Sequence, residues 1–318
     1  MGIGLLGCAE WPMRPKQEPV RRTVPPVPPP PEPATALYIP SAPKAEAPEG
    51  TIVQAAAQPP DPQSEALPAL VPAKATDEMA PSDPAGQQLA KLRELHRLAG
   101  QQVARMTSYI LRLKRREVVQ RRKHAEEIIL LKFRQEPFSV YLKWLGHEAK
   151  DREVIYVKGR YGNLIHTKVA AGDILLIPAG KRFSLPPDSF LAQSNSRHPI
   201  TNAGLGHLVD EFGQLVTAAE RGDSRLGTLK YLGTLKRPEF TTPVDGVMQL
   251  LRPGNDPLMP GGGRRLWFFD TQSHLPVLLI SHDENQQEVE YYCHDRIQFP
   301  VNLDDDDFNP DKLWGKQR

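Results

Sequence analysis

From Pro84 onward the hydrophobic positions fall into two periods. Leu89, Leu92, Leu95, Leu98 and Val103 recur at helical spacing, and Ser82-Asp83-Pro84 supplies a capping residue and a first-turn proline. A helix is therefore expected over 85–105. The period then changes to two. Ser108 to Val119 reads as a strand with a charged end, and Glu127 to Arg134 puts Ile129, Leu131 and Phe133 on one face. Phe138, Val140, Leu142 and Trp144 alternate with Ser139, Tyr141, Lys143 and Leu145, the cleanest such run in the chain. Further strands are expected over 153–158, 164–168 and 173–177. Helical spacing returns from Ile200 to Arg221, through Leu205, Leu208, Val209, Phe212, Leu215 and Val216, with Gly222 as its stop. The last third reads as strands over 229–235, 247–252, 265–271, 277–282 and 288–299. This order predicts an α+β fold: one strongly curved antiparallel sheet, a half-barrel closed by helices.

The chain before this domain is of another kind. Twenty of the 33 prolines precede Ala85, and the run Pro28-Pro29-Pro30-Pro31 lies within a segment without hydrophobic period. Such a stretch cannot bury enough apolar surface to offset its ordering entropy, so 9–83 is expected to be a disordered tether and 84–318 the folded domain. At the start, Leu5-Leu6-Gly7-Cys8 has the pattern of a lipobox, in which the cysteine is the lipidation site. A signal peptide needs a basic n-region and an apolar stretch of about 7–15 residues. Only Met1 to Gly7 precede Cys8, without Lys or Arg, so either the true start lies upstream or the match is chance. A lipid anchor at Cys8 followed by a spacer would hold the domain away from a membrane.

Charge adds one ambiguity and removes several functions. The net charge is +2, which gives the whole molecule no bulk attraction for nucleic acid. The basic residues crowd between Arg112 and Lys123, where Arg115, Arg116, Arg121, Arg122 and Lys123 form a candidate basic surface for anionic lipid heads. A charged sheet edge is the plainer reading, and the run lacks base-stacking aromatics. Cys8 and Cys293 give neither a disulfide framework nor a zinc site, and no stretch is long and apolar enough to span a membrane. No nucleophile elbow, metalloprotease motif or phosphate loop is present, and the acidic run Asp304 to Asp307 fails as a calcium loop at Pro310. His282-Asp283 and His294-Asp295 end two neighbouring strands, and solvent-facing strand ends are the plainer account of both. Neither an enzyme nor a cofactor is expected.

The strands also contain recognisable words. Arg115-Arg116-Glu117-Val118-Val119 comes first, then 131–146 from Leu131-Lys132-Phe133 to Trp144-Leu145-Gly146, then Arg152-Glu153-Val154-Ile155-Tyr156-Val157-Lys158-Gly159. Arg197-His198-Pro199-Ile200-Thr201-Asn202-Ala203-Gly204 and Asp306-Asp307-Phe308-Asn309-Pro310 follow. The series resembles an uncharacterised family of exported bacterial proteins that looks related to the LolA/LolB-like lipoprotein-sorting superfamily. The resemblance spans about 86–314. It departs at Gln120-Arg121-Arg122-Lys123-His124, where the family commonly has a glycine-containing turn, making the first hairpin longer and more basic.

The resemblance implies a half-barrel around an apolar cavity that holds lipid or lipoprotein acyl chains. Strands apolar on both faces, such as Ile128-Ile129-Leu130-Leu131 and Val277-Leu278-Leu279-Ile280, fit one face on helices and the other on a cavity. Phe138, Val140, Leu142, Trp144, Trp267 and Phe269 are the candidate cavity residues. The first expectation is a non-catalytic cell-envelope or periplasmic lipid binder. The alternatives are an envelope protein-interaction or sensor module on the same fold and, third, a hydrolase with its site dispersed over the strand ends.

Overall fold

The computed structural model describes residues 84–316 except 175, 176 and 195. Cys8 and the proline-rich stretch 9–83 lie outside the described residues. Helix α1 (Pro84–Ala104) turns Leu92, Leu95 and Ala99 inward. The first half of the sheet follows: β1 (Ser108–Val119), β2 (Arg122–Lys123), β3 (Glu127–Arg134), β4 (Ser139–Trp144), β5 (Glu153–Val157), β6 (Ile165–Lys168) and β7 (Arg182–Leu185). Helices α2 (Phe190–Gln193) and α3 (Leu205–Glu220) lead to β8 (Thr228–Leu235), β9 (Val244–Leu251), β10 (Gly263–Asp270), β11 (Pro276–Asp283) and β12 (Glu288–Gln298). A short α4 (Pro310–Trp314) closes the chain.

All named strand pairings are antiparallel, and the order is β7-β6-β5-β4-β3-β1-β12-β11-β10-β9-β8, with β2 folded back on β1. The strands thus form two meanders, one from each half of the sequence, joined by pairing of the first long strand with the last. Lys114 lies opposite Cys293 and Glu117 opposite Glu290. The hairpin between β1 and β2 turns through Gln120 and Arg121 alone, both in the left-handed region (φ 49° and 66°). The expected long basic hairpin is therefore tight, of the kind usually built with Asn-Gly.

Residues paired across strands share a face, so the register divides the sheet into two surfaces. The inner face carries Tyr109, Leu111 and Leu113 of β1, Ile129, Leu131 and Phe133 of β3, and Val140, Leu142 and Trp144 of β4. Against β9–β11 it is sealed by α1 and α3, whose Leu92, Leu95, Phe212 and Val216 pack on Val247, Trp267, Phe269 and Leu279. The helices approach closely: a Cβ at Gly213 would lie 2.3 Å from His96 Nε2.

The outer face is covered too, which corrects the expectation that the second face of the doubly apolar strands lines a cavity. Leu278 and Ile280 join Leu266, Phe268 and Val244 beneath Leu232, Leu235 and Phe240. Leu130, Tyr141, Ile155 and Val157 lie beneath Val301, Leu303, Phe308 and Trp314 of the carboxy-terminal segment. Apolar residues on both faces therefore reflect two coverings.

Two elements differ from the reading by period. No strand occurs at Asp173, Ile174 or Ile177; Asp173 accepts from Arg152 and from the Ala170 amide in a turn, and the edge strand is Arg182–Leu185. Four residues, Arg-Phe-Ser-Leu, are too few to show a period. The second helix begins at Leu205, because Ile200–Asn202 forms a 3-10 turn and Gly204 has φ 104°. A side chain at Gly204 would collide with the Phe133 ring at 2.6 Å. The Tyr109 hydroxyl, 2.7 Å from the Leu205 amide, accepts one of the helix's unpaired N–H groups.

Candidate ligand-binding face

The inner face of β3–β5 is an apolar wall. The Phe133 ring stacks on Tyr109 at 4.9 Å and meets Phe138 edge-on at 5.4 Å, and Phe138 continues to Tyr156 at 6.1 Å. Val140 and Trp144 are buried, whereas Phe138, Leu142 and Val154 are half-buried. The other two candidate cavity residues share this face but stand under the helices. Trp267 and Phe269 are each 1 % exposed, with the Phe212 ring 5.7 Å and 4.8 Å from theirs. Their surroundings are filled by side chains, so the six candidates divide into four on the wall and two in the core.

Between wall and helices runs a strap, the segment 196–204. At one end Ser196 and the Arg197 amide bond to Glu117, at the far end of β1; at the other, Gly204 sits on Phe133 and the Leu205 amide meets Tyr109. The strap thus follows the inner side of β1, and Ile200 and Ala203 pack on the core.

Its anchor is a row of charged side chains facing inward. Arg265, Ser281, Glu290 and Glu117 are successive cross-strand neighbours on β10, β11, β12 and β1. Glu290 is fully buried and accepts from Arg197 Nε at 2.7 Å and Ser281 Oγ at 2.6 Å, with His198 Nε2 at 2.9 Å. Arg265 lies 3.5 Å from the same carboxylate and also meets Glu211 of α3 and Asp256. Burial works to raise the Glu290 carboxyl, but Arg265, His198 and Arg197 hold it well below the ordinary range. For His198 burial works downward, and the Glu290 bond and charge lift it above its ordinary 6.5. On the wall side Arg115 donates to Glu127 at 2.7 Å, and Glu127 also accepts from Trp144 Nε1 at 2.8 Å.

The candidate basic surface is accordingly split. Arg115 belongs to this inner row, a correction that follows from the alternation itself, since it shares the face of Leu111 and Leu113. Arg116 is on the outer face, paired with Glu288 and Glu126 over the Tyr291 ring. Arg121, Arg122 and Lys123 are exposed at the hairpin tip. The acidic carboxy end is not merely solvated, because Asp307 pairs with Lys132 and Asp305 with Arg134 and Arg160 on the outer face.

His282 and His294 do not form a joint site. His294 sits opposite the position of Val277 on β11, about 17 Å along the strand from His282. The described residues contain no cluster of His, Cys, Asp and Glu suited to a metal ion, and no helix among them is long and apolar enough to cross a membrane. Glu290, Arg265 and Glu117 were missed as site residues. Their signal was a charge at an inward position of an apolar alternation, legible at Arg115 and Glu117 once the face of β1 is fixed.

Residues 106–231 match the model of a family described as a protein of unknown function (DUF1571). This bears out the resemblance to an uncharacterised family over β1 to β8, a shorter stretch than expected. No curated protein matches the sequence. Among solved structures the chain is similar to the lipoprotein LppX of Mycobacterium tuberculosis, at 12% identity over 68% of this chain and 99% of that one, with a TM-score of 0.39. A putative outer membrane lipoprotein-sorting protein domain from Vibrio parahaemolyticus aligns at 9% identity over 70% and 99%, TM-score 0.29. The MucA/MucB complex of Pseudomonas aeruginosa aligns at 11% over 69% of this chain and 60% of that one, TM-score 0.37.

Proposed function

We propose that the domain carrying this family match is a non-catalytic binding module of the cell envelope, holding acyl chains of a lipid or lipoprotein against the wall of Phe138, Val140, Leu142 and Trp144. The observation that carries the reading is how this wall is covered. Where α1 and α3 lie, apolar side chains meet apolar side chains and the interior is full. The strap beside the wall is instead pinned at one end by Arg197 and His198 on Glu290, and Phe138, Leu142 and Val154 keep part of their surface open. Displacing the strap therefore does not require opening the helical core. Each acyl methylene buried on the wall contributes about 0.8 kcal/mol, so affinity needs no polar group.

The test is native mass spectrometry of the full chain purified from cells, followed by solvent extraction and lipid analysis. Co-purifying phospholipid or lipoprotein acyl chains, lost in Leu142→Glu, support the reading. A lipid-free chain that also takes up no fluorescent fatty acid overturns it. The runner-up, a protein-interaction or sensor module, draws on α2, where Phe190 and Leu191 are 78 % and 57 % exposed just before the strap.

A further inference from the structure

At the rim of the sheet, the β10–β11 turn, the end of β12, the loop before β9 and the end of α1 surround a cleft of about 350 Å³. This is the space of about a dozen waters and lies within the range of small-molecule sites. Met106, Phe240, Leu275, Val277 and Phe299 give it apolar sides.

Its polar groups are unequally engaged. Asp270 accepts from Thr242, from the Ser273 hydroxyl and from the amides of Gln272 and Ser273. Asp295 is held by Arg112 and Lys114. Asp295 is thus paired with cations, whereas Asp270 stays ionised with its oxygens occupied by neutral donors. Arg296 is exposed and makes no ion pair among the described residues. Its position is irregular as well. Ile110 pairs with Gln298 but Arg112 with Asp295, so β12 carries an extra residue here, and Arg296 has φ 52°. Bulges of this kind re-aim side chains beside binding sites.

Deeper in the cleft stands His294, 9 % exposed, with no hydrogen-bond partner for Nδ1. Burial pushes it down to about 4, so the ring is neutral at pH 7. A buried polar atom without a partner is costly, and a ligand that offers one offsets that cost.

We propose that this cleft binds a small anionic amphiphile, a carboxylate on a hydrocarbon chain, with the carboxylate accepting from both Arg296 and His294 Nδ1 and the chain along Val277, Leu275 and Phe299. The cleft shares no lining residue with the wall, and the proposal does not depend on the acyl-chain reading of that wall.

The experiment is calorimetric titration of the full chain with sodium decanoate below its micellar concentration, with decylamine and decanol as comparisons. One decanoate per chain binds in the cleft, counted separately from any held on the wall; decylamine binds this site at least about tenfold more weakly, and Arg296→Gln weakens decanoate there about tenfold while leaving decanol unchanged. Val277→Trp fills the cleft and abolishes this site, whereas Leu142→Trp removes at most the decanoate held on the wall. Absence of decanoate binding at millimolar concentration overturns the proposal, as does equal affinity for decylamine or an unaltered Arg296→Gln. If Leu142→Trp removes decanoate and Val277→Trp does not, the ligand lies on the wall, and the cleft assignment falls while the acyl-chain reading stands. Arg296 is exposed, so its variant tests the proposal even if Val277→Trp fails to fold.

Discussion

The two halves of the inner face solve the same problem differently. Over β9–β11 two amphipathic helices lie on the sheet, and Trp267, Phe269 and Phe212 form a solid interior. Over β3–β5 the sheet is as apolar, but its neighbour is an irregular strap fastened by buried charges to Glu290 and Glu117. A helix brings a continuous apolar stripe and satisfies its own backbone. A strap brings few apolar side chains, and its anchor includes His198 beside Arg197 on Glu290. The helical half is thus held chiefly by apolar packing, and the strapped half in part by buried charge.

Substitution sharpens this difference most. Phe212→Ala removes a fully buried ring from the helical half and is expected to cost about 3–5 kcal/mol in chemical denaturation. Leu142→Ala removes a half-buried side chain from the wall and should cost about 1–2 kcal/mol, below the range for fully buried leucines. Equal losses would show that the wall is as tightly packed as the core.

Acid probes the rim next. His294 is held down to about 4 from an ordinary 6.5, so the unfolded chain binds its proton first as the pH falls. Stability should drop by ~3 kcal/mol between pH 6.5 and 4 from this residue. His294→Leu should lack that component in denaturation curves across the window; a variant with the wild-type slope would show that the ring is not buried neutral.

The smallest effect is local. His198 is raised above 6.5, so its stabilisation of the strap is fully present below that value and lost as the pH rises through the raised one. Hydrogen exchange at 196–204 should quicken over that rise while the amides of α1 and α3 keep their protection. Protection lost equally in both regions would mean that the strap is no separate unit.

Most of the secondary structure was legible, because each strand alternates and each helix repeats within its own few residues. Ser108–Val119 and Glu127–Arg134 were readable to the residue. Arg182–Leu185 was too short to show a period, and the start of the second helix was set by a ring of Phe133 pressing on Gly204. The site was less legible. Phe138, Val140, Leu142 and Trp144 were found from their alternation, yet the same logic chose Trp267 and Phe269, since nothing local distinguishes an apolar face under a helix from one beside a strap.

The sequence by itself determined the elements, the face each residue occupies within its strand, and the contrast between a proline-rich segment and a patterned domain. These follow from neighbours two to four positions apart. Only the tertiary structure decided that the first long strand pairs with the last, that the carboxy-terminal segment covers the outer face, and that Arg197 meets Glu290 across 93 positions. Those contacts depend on which apolar surfaces and buried charges find partners when the whole sheet closes, and no local pattern encodes that choice.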